Sequence, residues 1–184
     1  SLVNSDTLTG ALATTATTTS GIGAYAIAQG TLAASSNYAI AYTSGTLTVG
    51  ARSITVTAEN KTRKYGDANP ALTWTVGGDS LVNSDTLTGA LATTATTATG
   101  VGSYAITQGT VNDANNTNYA IAYTSGTLTV DKRAITVTAT STSRQYGDAN
   151  VLTYTVGGGS LVNGDSLTGA LATTATTATG VGSY

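Results

Sequence analysis

The chain repeats itself at an almost fixed interval. The block SLVNSDTLTGALATTAT opens at Ser1 and again at Ser80, and a near copy, SLVNGDSLTGALATTAT, opens at Ser160, so the offsets are 79 and 80 residues. Three copies at a near-constant period define a tandem array, which constrains the fold before any local pattern is read. The rest of the period obeys the same spacing. Residues 21–32 (GIGAYAIAQGTL) match 100–111 (GVGSYAITQGTV), and Asn37–Val49 is identical to Asn118–Val130. The offset grows from 79 to 81 between those pairs, which places a two-residue insertion in segment 111–117, VNDANNT. Insertions are expected in surface loops.

Local pattern then assigns the repeat to the β class. Segment 53–76 returns at 134–156. In it Ile54, Val56 and Ala58 alternate with Thr55 and Thr57, the period of a half-buried strand. A second arm alternates likewise, with Leu72, Trp74 and Val76 set against Thr73 and Thr75. Between the arms lies Tyr-Gly-Asp-Ala-Asn, at 65–69 and again at 146–150. There Gly permits positive φ and Asp or Asn can bond its own backbone, so the arms should be joined by a polar loop and turn. Within one period, strands are expected at about 53–59, 71–77, 90–97, 103–108, 119–123 and 126–130. A hairpin turn is expected at Ser125-Gly126, and Asn83–Gly89 has the caps for a single helical turn. Trp74 should be largely buried, with Tyr154 in the equivalent place.

The boundaries fall at the short linkers after each GTLTV, at 50–53 and 131–134. The expected organisation is residues 1–51 as the back part of one repeat, 52–131 as a complete repeat and 132–184 as the front part of a third. The ends then look like cuts through a longer protein. Linkers this short hold neighbours close, and a semi-rigid rod is the expected form. About 80 residues bury only a small core, so stacking on neighbours should add stability.

Composition removes whole classes of chemistry. Charged residues are 9% of the chain and the formal net charge is −2, so no basic face is available for nucleic acid. His and Cys are absent, which removes the usual ligands for zinc, copper or haem. The lack of Cys also fits a long exported chain that avoids mispaired disulfides. No run of apolar residues reaches the roughly 20 that a membrane helix needs, and Ser1 does not begin a signal peptide.

The order of these blocks resembles a known family. The run ITVTAENKTRKYGDANPALTWTV, followed by LVNSDTLTGAL, VGSYAITQGT, NYAIAY and GTLTV, is similar to the YGX-type MBG repeat of very large bacterial surface proteins, including filamentous-haemagglutinin-like adhesins. The resemblance covers essentially the whole chain. It implies a small, mostly β, grasp-like module, secreted or attached to the cell surface, strung in tandem and without enzymatic activity. Its structural motif residues would be Tyr65, Gly66, Asp67 and Trp74, with Tyr146, Gly147, Asp148 and Tyr154 in the next copy. Val151 stands in place of Pro70 with one residue lost, and Gly159 in place of Asp79. The fold expected is therefore mainly β, a tandem array of small modules of about 80 residues, β-grasp-like or β-sandwich-like.

Few side-chain constellations carry chemistry. Ser and Thr have no His partner, and Lys61, Lys64 and Lys132 sit among polar residues, so neither a nucleophile with its base nor a lysine crosslink is expected. Asp67 with Asn69, and Asp113 with Asn115 and Asn116, offer oxygen ligands for Ca²⁺ at short spacing, although Asx residues in turns more commonly bond backbone. Trp74 and Tyr65, Tyr104, Tyr119 and Tyr123 could stack on sugars if exposed, but on alternating strands they are expected in the core. Asn60-Lys61-Thr62 and Asn115-Asn116-Thr117 are formal glycosylation sequons. Catalysis and cofactors are not expected. Two roles stay open: a structural spacer in a giant extracellular or cell-surface adhesin or filament, and a glycan- or mucin-binding module acting through avidity. Expected partners are neighbouring repeats, with head-to-tail or lateral self-association and a glycan as further candidates.

Overall fold

The computed structural model describes residues 2–184; Ser1, which opens the first copy of the SLVNSD block, lies outside them. Among the described residues there is no helix. The strands are β1 (Ala13–Thr14), β2 (Gly23–Ala28), β3 (Gly45–Val49), β4 (Arg52–Ala58), β5 (Lys61–Lys64), β6 (Trp74–Gly78), β7 (Gly102–Ile106), β8 (Tyr119–Thr124), β9 (Gly126–Asp131), β10 (Thr136–Ala139) and β11 (Tyr154–Gly157). The architecture is mainly β, built as small sheets. The chain divides into two compact units that share the middle repeat. One comprises Ser1–Glu59, Leu72–Ala92 and Ile106–Gly126; the other comprises Asn60–Ala71, Thr93–Ala105 and Thr127–Tyr184.

The first unit holds the sheets β1-β2-β3 and β6-β4-β8. The alternation of β4 is realised directly: Ile54, Val56 and Ala58 are buried while Thr55 and Thr57 are half-buried. The two arms pair antiparallel, Val56 opposite Val76 and Ala58 opposite Trp74. On its other edge β4 pairs parallel with β8, Ile54 opposite Ile121. The first strand of the repeat is thus joined to its second-last. Trp74 is only half-buried, short of the expected burial, because β6 is an edge strand with Ala58 opposite its ring.

Several local expectations give way in this unit. Residues 90–97 are not a strand: a single antiparallel bridge, Ala92 with Thr107, is followed by a turn in which the Thr99 N–H donates to the Thr96 carbonyl. Ala and Thr with poor alternation could not sustain a ladder. Ser125-Gly126 does not close a hairpin, since β8 and β9 belong to different sheets. Instead the Ser125 hydroxyl donates to the Ile106 carbonyl. A Cβ on Gly126 would lie 2.8 Å from the Ala58 carbonyl oxygen, so only glycine lets the two backbones approach.

The expected helical turn at 83–89 is replaced by a two-residue reverse turn. Asn83 and Ser84 both have positive φ, 55° and 62°, and the Asp85 N–H donates to the Val82 carbonyl at 2.9 Å, the pattern of a type I′ turn. It recurs at Val3–Asp6, where Asn4 and Ser5 have φ of 53° and 59°, and at Val162–Asp165, where Gly164 takes the second position. The inserted segment 111–117 is not loose loop. Val111 and Asn116 are buried, and Asn116 bonds both the N–H and the carbonyl of Thr88.

The second unit holds the sheets β5-β9-β7 and β10-β11. Strand β5 is not among the expected elements; it replaces the polar loop after the first arm. It pairs parallel with β9, Arg63 opposite Val130. Alternation on β9 buries Leu128 and Val130 and leaves Thr127 and Thr129 half-buried. Both strands of the β10-β11 pair are exposed throughout, and Tyr154, the counterpart of Trp74, is 45% exposed, short of the expected burial. Two strands alone cover neither face.

Gly126→Ala should destabilise the chain by about 1–3 kcal/mol through forced backbone displacement, whereas Gly45→Ala, whose Cβ would meet nothing closer than Ile27 Cδ1 at 3.5 Å, should be nearly neutral; thermal melts of both variants check this. Ser84→Gly should raise the melting point, releasing up to about 1 kcal/mol of left-handed backbone cost.

Candidate functional site

The densest side-chain network surrounds the Tyr-Gly-Asp loop that follows β5. Alternation along β5 leaves Thr62 and Lys64 exposed and turns Arg63 inward, where it is 6% exposed. Its guanidinium is satisfied by neutral oxygens. Nε donates to Asn69 Oδ1 at 2.8 Å, Nη1 donates to the Lys64 carbonyl at 3.1 Å, and Nη2 donates to the Thr96 carbonyl. Asn69 Nδ2 in turn donates to the Ala95 carbonyl at 2.7 Å. Arg63 and Asn69 therefore tie the Tyr-Gly-Asp loop to the turn at 95–99. The third repeat reproduces the network: Arg144 Nε donates to Asn150 Oδ1 at 2.8 Å, Nη2 donates to the Thr176 carbonyl, and Asn150 Nδ2 donates to the Ala175 carbonyl at 2.7 Å.

The loop is also where one repeat meets the next. Arg133, in the linker that opens the third repeat, donates from Nε to the Tyr65 carbonyl at 2.8 Å and from Nη2 to Asp67 Oδ1. Gly66, at φ +85°, faces Val162 so closely that a Cβ would lie 2.5 Å from Val162 Cγ2. Beside it Asn163 Nδ2 donates to the Thr97 carbonyl at 3.2 Å. In the first unit Asn83 Nδ2 reaches the Thr18 carbonyl at 3.4 Å, the same contact one repeat earlier. Asn118 Oδ1 also accepts from the Ile22 N–H at 3.2 Å.

A tyrosine holds the reverse turn that makes these contacts. Tyr119 is buried; its hydroxyl donates to Asp85 Oδ2 at 2.7 Å and accepts from the Val82 N–H at 3.1 Å. Tyr38, Asp6 and Val3 repeat the arrangement. Burial raises the phenol pKa of Tyr119 above its usual value, with the Asp85 carboxylate adding to the shift and the Val82 N–H opposing it. Burial alone raises that of Tyr123.

The other residues singled out in the sequence serve the same internal network. The Asp67 carboxylate faces Arg133 and Asn69 is committed to Arg63. Asp113 Oδ1 accepts from the Ile121 N–H, and Asn115 Nδ2 donates to the Thr110 carbonyl. Among the described residues no group of three or more acidic side chains could hold a metal ion. Tyr65, Tyr104 and Tyr123 are half-buried, and Tyr146 is 69% exposed. Arg63, Arg133, Val162 and Asn163 are the residues that sequence reasoning missed. The recurrence of Arg six residues before Asn, at 63 and 69 and again at 144 and 150, was the available signal.

The MBG domain (YGX type) family matches residues 1–48, 54–129 and 135–184. The chain belongs to this family. Its matches fall on three tandem MBG repeats, and the Tyr-Gly-Asp loop of the middle one is the loop that Arg133 and Val162 cover. Neither a curated protein nor a solved structure matches the chain.

Asn69→Ala should cost about 1.5–3 kcal/mol, since it leaves the buried Arg63 Nε without its acceptor; urea unfolding of the full chain measures it. Because the folded state raises the Tyr119 and Tyr123 pKa values, their stabilisation is fully present below about pH 10 and is lost as pH rises through the folded values. Melts from pH 9 to 11.5 should show that loss. Tyr123→Phe should reduce it with little other effect, because the Ile106 carbonyl keeps the Ser125 hydroxyl as donor.

Proposed function

We propose that this chain is a segment of the stalk of a large bacterial surface adhesin or extracellular filament, in which MBG repeats supply length and perform no catalysis. Membership of the family points to a repeat module of surface proteins. The observation that carries the spacer reading is the recurrence of the contact between neighbours: the asparagine of the reverse turn reaches the preceding repeat's threonine carbonyl at both junctions, Asn83 to Thr18 and Asn163 to Thr97. A module whose distinctive side chains are spent on itself and on its neighbour has the chemistry of a strut. The aromatic residues support the same reading in the complete repeat, where Tyr119 is buried and Tyr65, Trp74, Tyr104 and Tyr123 are half-buried, leaving no open stacking platform for sugars.

Glycan arrays probed with arrays of two repeats separate this from a binding module; the spacer reading expects no reproducible signal, and hits abolished by a loop substitution would replace it. Small-angle scattering on two, four and six repeats should show the maximum dimension growing linearly, by about 30–45 Å per repeat if strands of about ten residues set the length. Growth as the square root of repeat number would mean flexible beads and would remove the strut.

A further inference from the structure

We infer that the Tyr-Gly-Asp loop is a docking socket, and that the plug that fits it is the opening arginine together with the Val-Asn reverse turn of another MBG repeat. The loop occurs twice among the described residues. The copy at 65–67 is covered: Tyr65 is half-buried, its carbonyl and the Asp67 carboxylate receive Arg133, and Gly66 lies against Val162. At 146–148 Tyr146 is 69% exposed and nothing lies within 4 Å of where a Cβ on Gly147 would stand. The glycine takes a similar positive φ in both copies, +85° at Gly66 and +93° at Gly147. Both loops are also held by the same Arg-Asn network, built on Arg63 and on Arg144.

Each element of the contact is a property of the repeat and not of one junction. The cation recurs at Arg52 and Arg133 and the anion at Asp67 and Asp148. The turn recurs at Val3-Asn4, Val82-Asn83 and Val162-Asn163. Plug and socket are different patches of the same module, which makes the contact heterologous and gives the array a direction. Positive φ explains why the middle residue of the socket is glycine, and the approach of Val162 explains why no side chain could replace its hydrogen there. Arg133 matches carbonyl and carboxylate with two separate nitrogens, which a lysine could not do. The inference deepens the spacer reading by naming the surface that couples the repeats.

Glycine substitutions at the two sockets isolate docking from backbone strain. Gly66→Ala and Gly147→Ala impose nearly the same φ penalty, but only the first drives a methyl into Val162. Amide hydrogen exchange of the full chain, followed by mass spectrometry, reads the plug directly at residues 160–166. Gly66→Ala and Arg133→Ala should each speed exchange there at least fivefold while strands β4 and β8 stay protected, and Gly147→Ala should leave it unchanged. Adding Val162→Ala to Gly66→Ala should recover part of the loss. Unchanged exchange at 160–166 in both Gly66→Ala and Arg133→Ala, or the same acceleration in Gly147→Ala, would overturn the socket. The readout is independent of the scattering experiment: intact coupling with dimensions that fail to grow linearly would remove the strut and leave the socket standing.

Discussion

The middle repeat is closed by its own ends. Its first strand, β4, pairs parallel with β8, and the next, β5, pairs parallel with β9. Parallel neighbours require a long crossover, and here the crossover is nearly the whole repeat. Residues 67 positions apart must meet before the ladder rewards them, so the loop-closure cost is met by the last strands to arrive. The burial pattern follows from this constraint. Ile54, Val56, Leu128 and Val130, all on the pairing strands, are at most 2% exposed, whereas β10 and β11, which pair only with each other, are exposed throughout.

A core of this size cannot be made by apolar side chains alone, and polar groups complete it. The largest fully buried side chains are Ile106, Leu128, Val56, Val111 and Val130, none of them aromatic. Asn116 in the first unit and Arg63 in the second are buried with their hydrogen bonds made, and among the described residues no buried side-chain nitrogen or oxygen lacks a partner. A buried guanidinium held by carbonyls and an amide is costly to desolvate, and removing any one acceptor leaves that cost without compensation. Such a network favours one loop conformation. The agreement of the Arg63 and Arg144 geometries, in repeats with different surroundings, is the mark of that choice.

Patterns carried by apolar residues were legible in the sequence, and patterns carried by polar ones were not. The alternation of Ile54, Val56 and Ala58 located β4 to within a residue, and the period located the repeats that the family assignment matches. Lys61–Lys64 alternates as strictly as β4, but its inward residue is Arg63, which an apolar template discards. Thr and Ala in 90–97 misled in the opposite direction: strand-like composition there supports one bridge and a turn. Ser84 and Asp85 carry helix-capping chemistry, although Asn followed by a small residue is also the signature of a type I′ turn. Tertiary contact decided between them, since Tyr119 holds Val82 and Asp85 at the two ends of the turn. The Tyr-Gly-Asp motif itself was plain in the sequence. Its partner was not, because Val162 lies 96 residues beyond Gly66, in another copy of the repeat.

Near-identical repeats must also pair with the right neighbour. Copies this similar risk exchanging strands, since any GTLTV segment could enter any sheet that accepts one. A contact that joins the front of one repeat to the loop of its predecessor adds a term that the right neighbour meets without crossing a long loop. From Asp131, at the end of β9, to Arg133 is two residues, so the linker delivers the arginine to Tyr65 and Asp67 at very high effective concentration. Arg133 also sits next to the strand end whose carbonyl, that of Asp131, accepts the Tyr65 N–H at 2.9 Å. Closure of one repeat by β9 therefore places the plug of the next beside its socket.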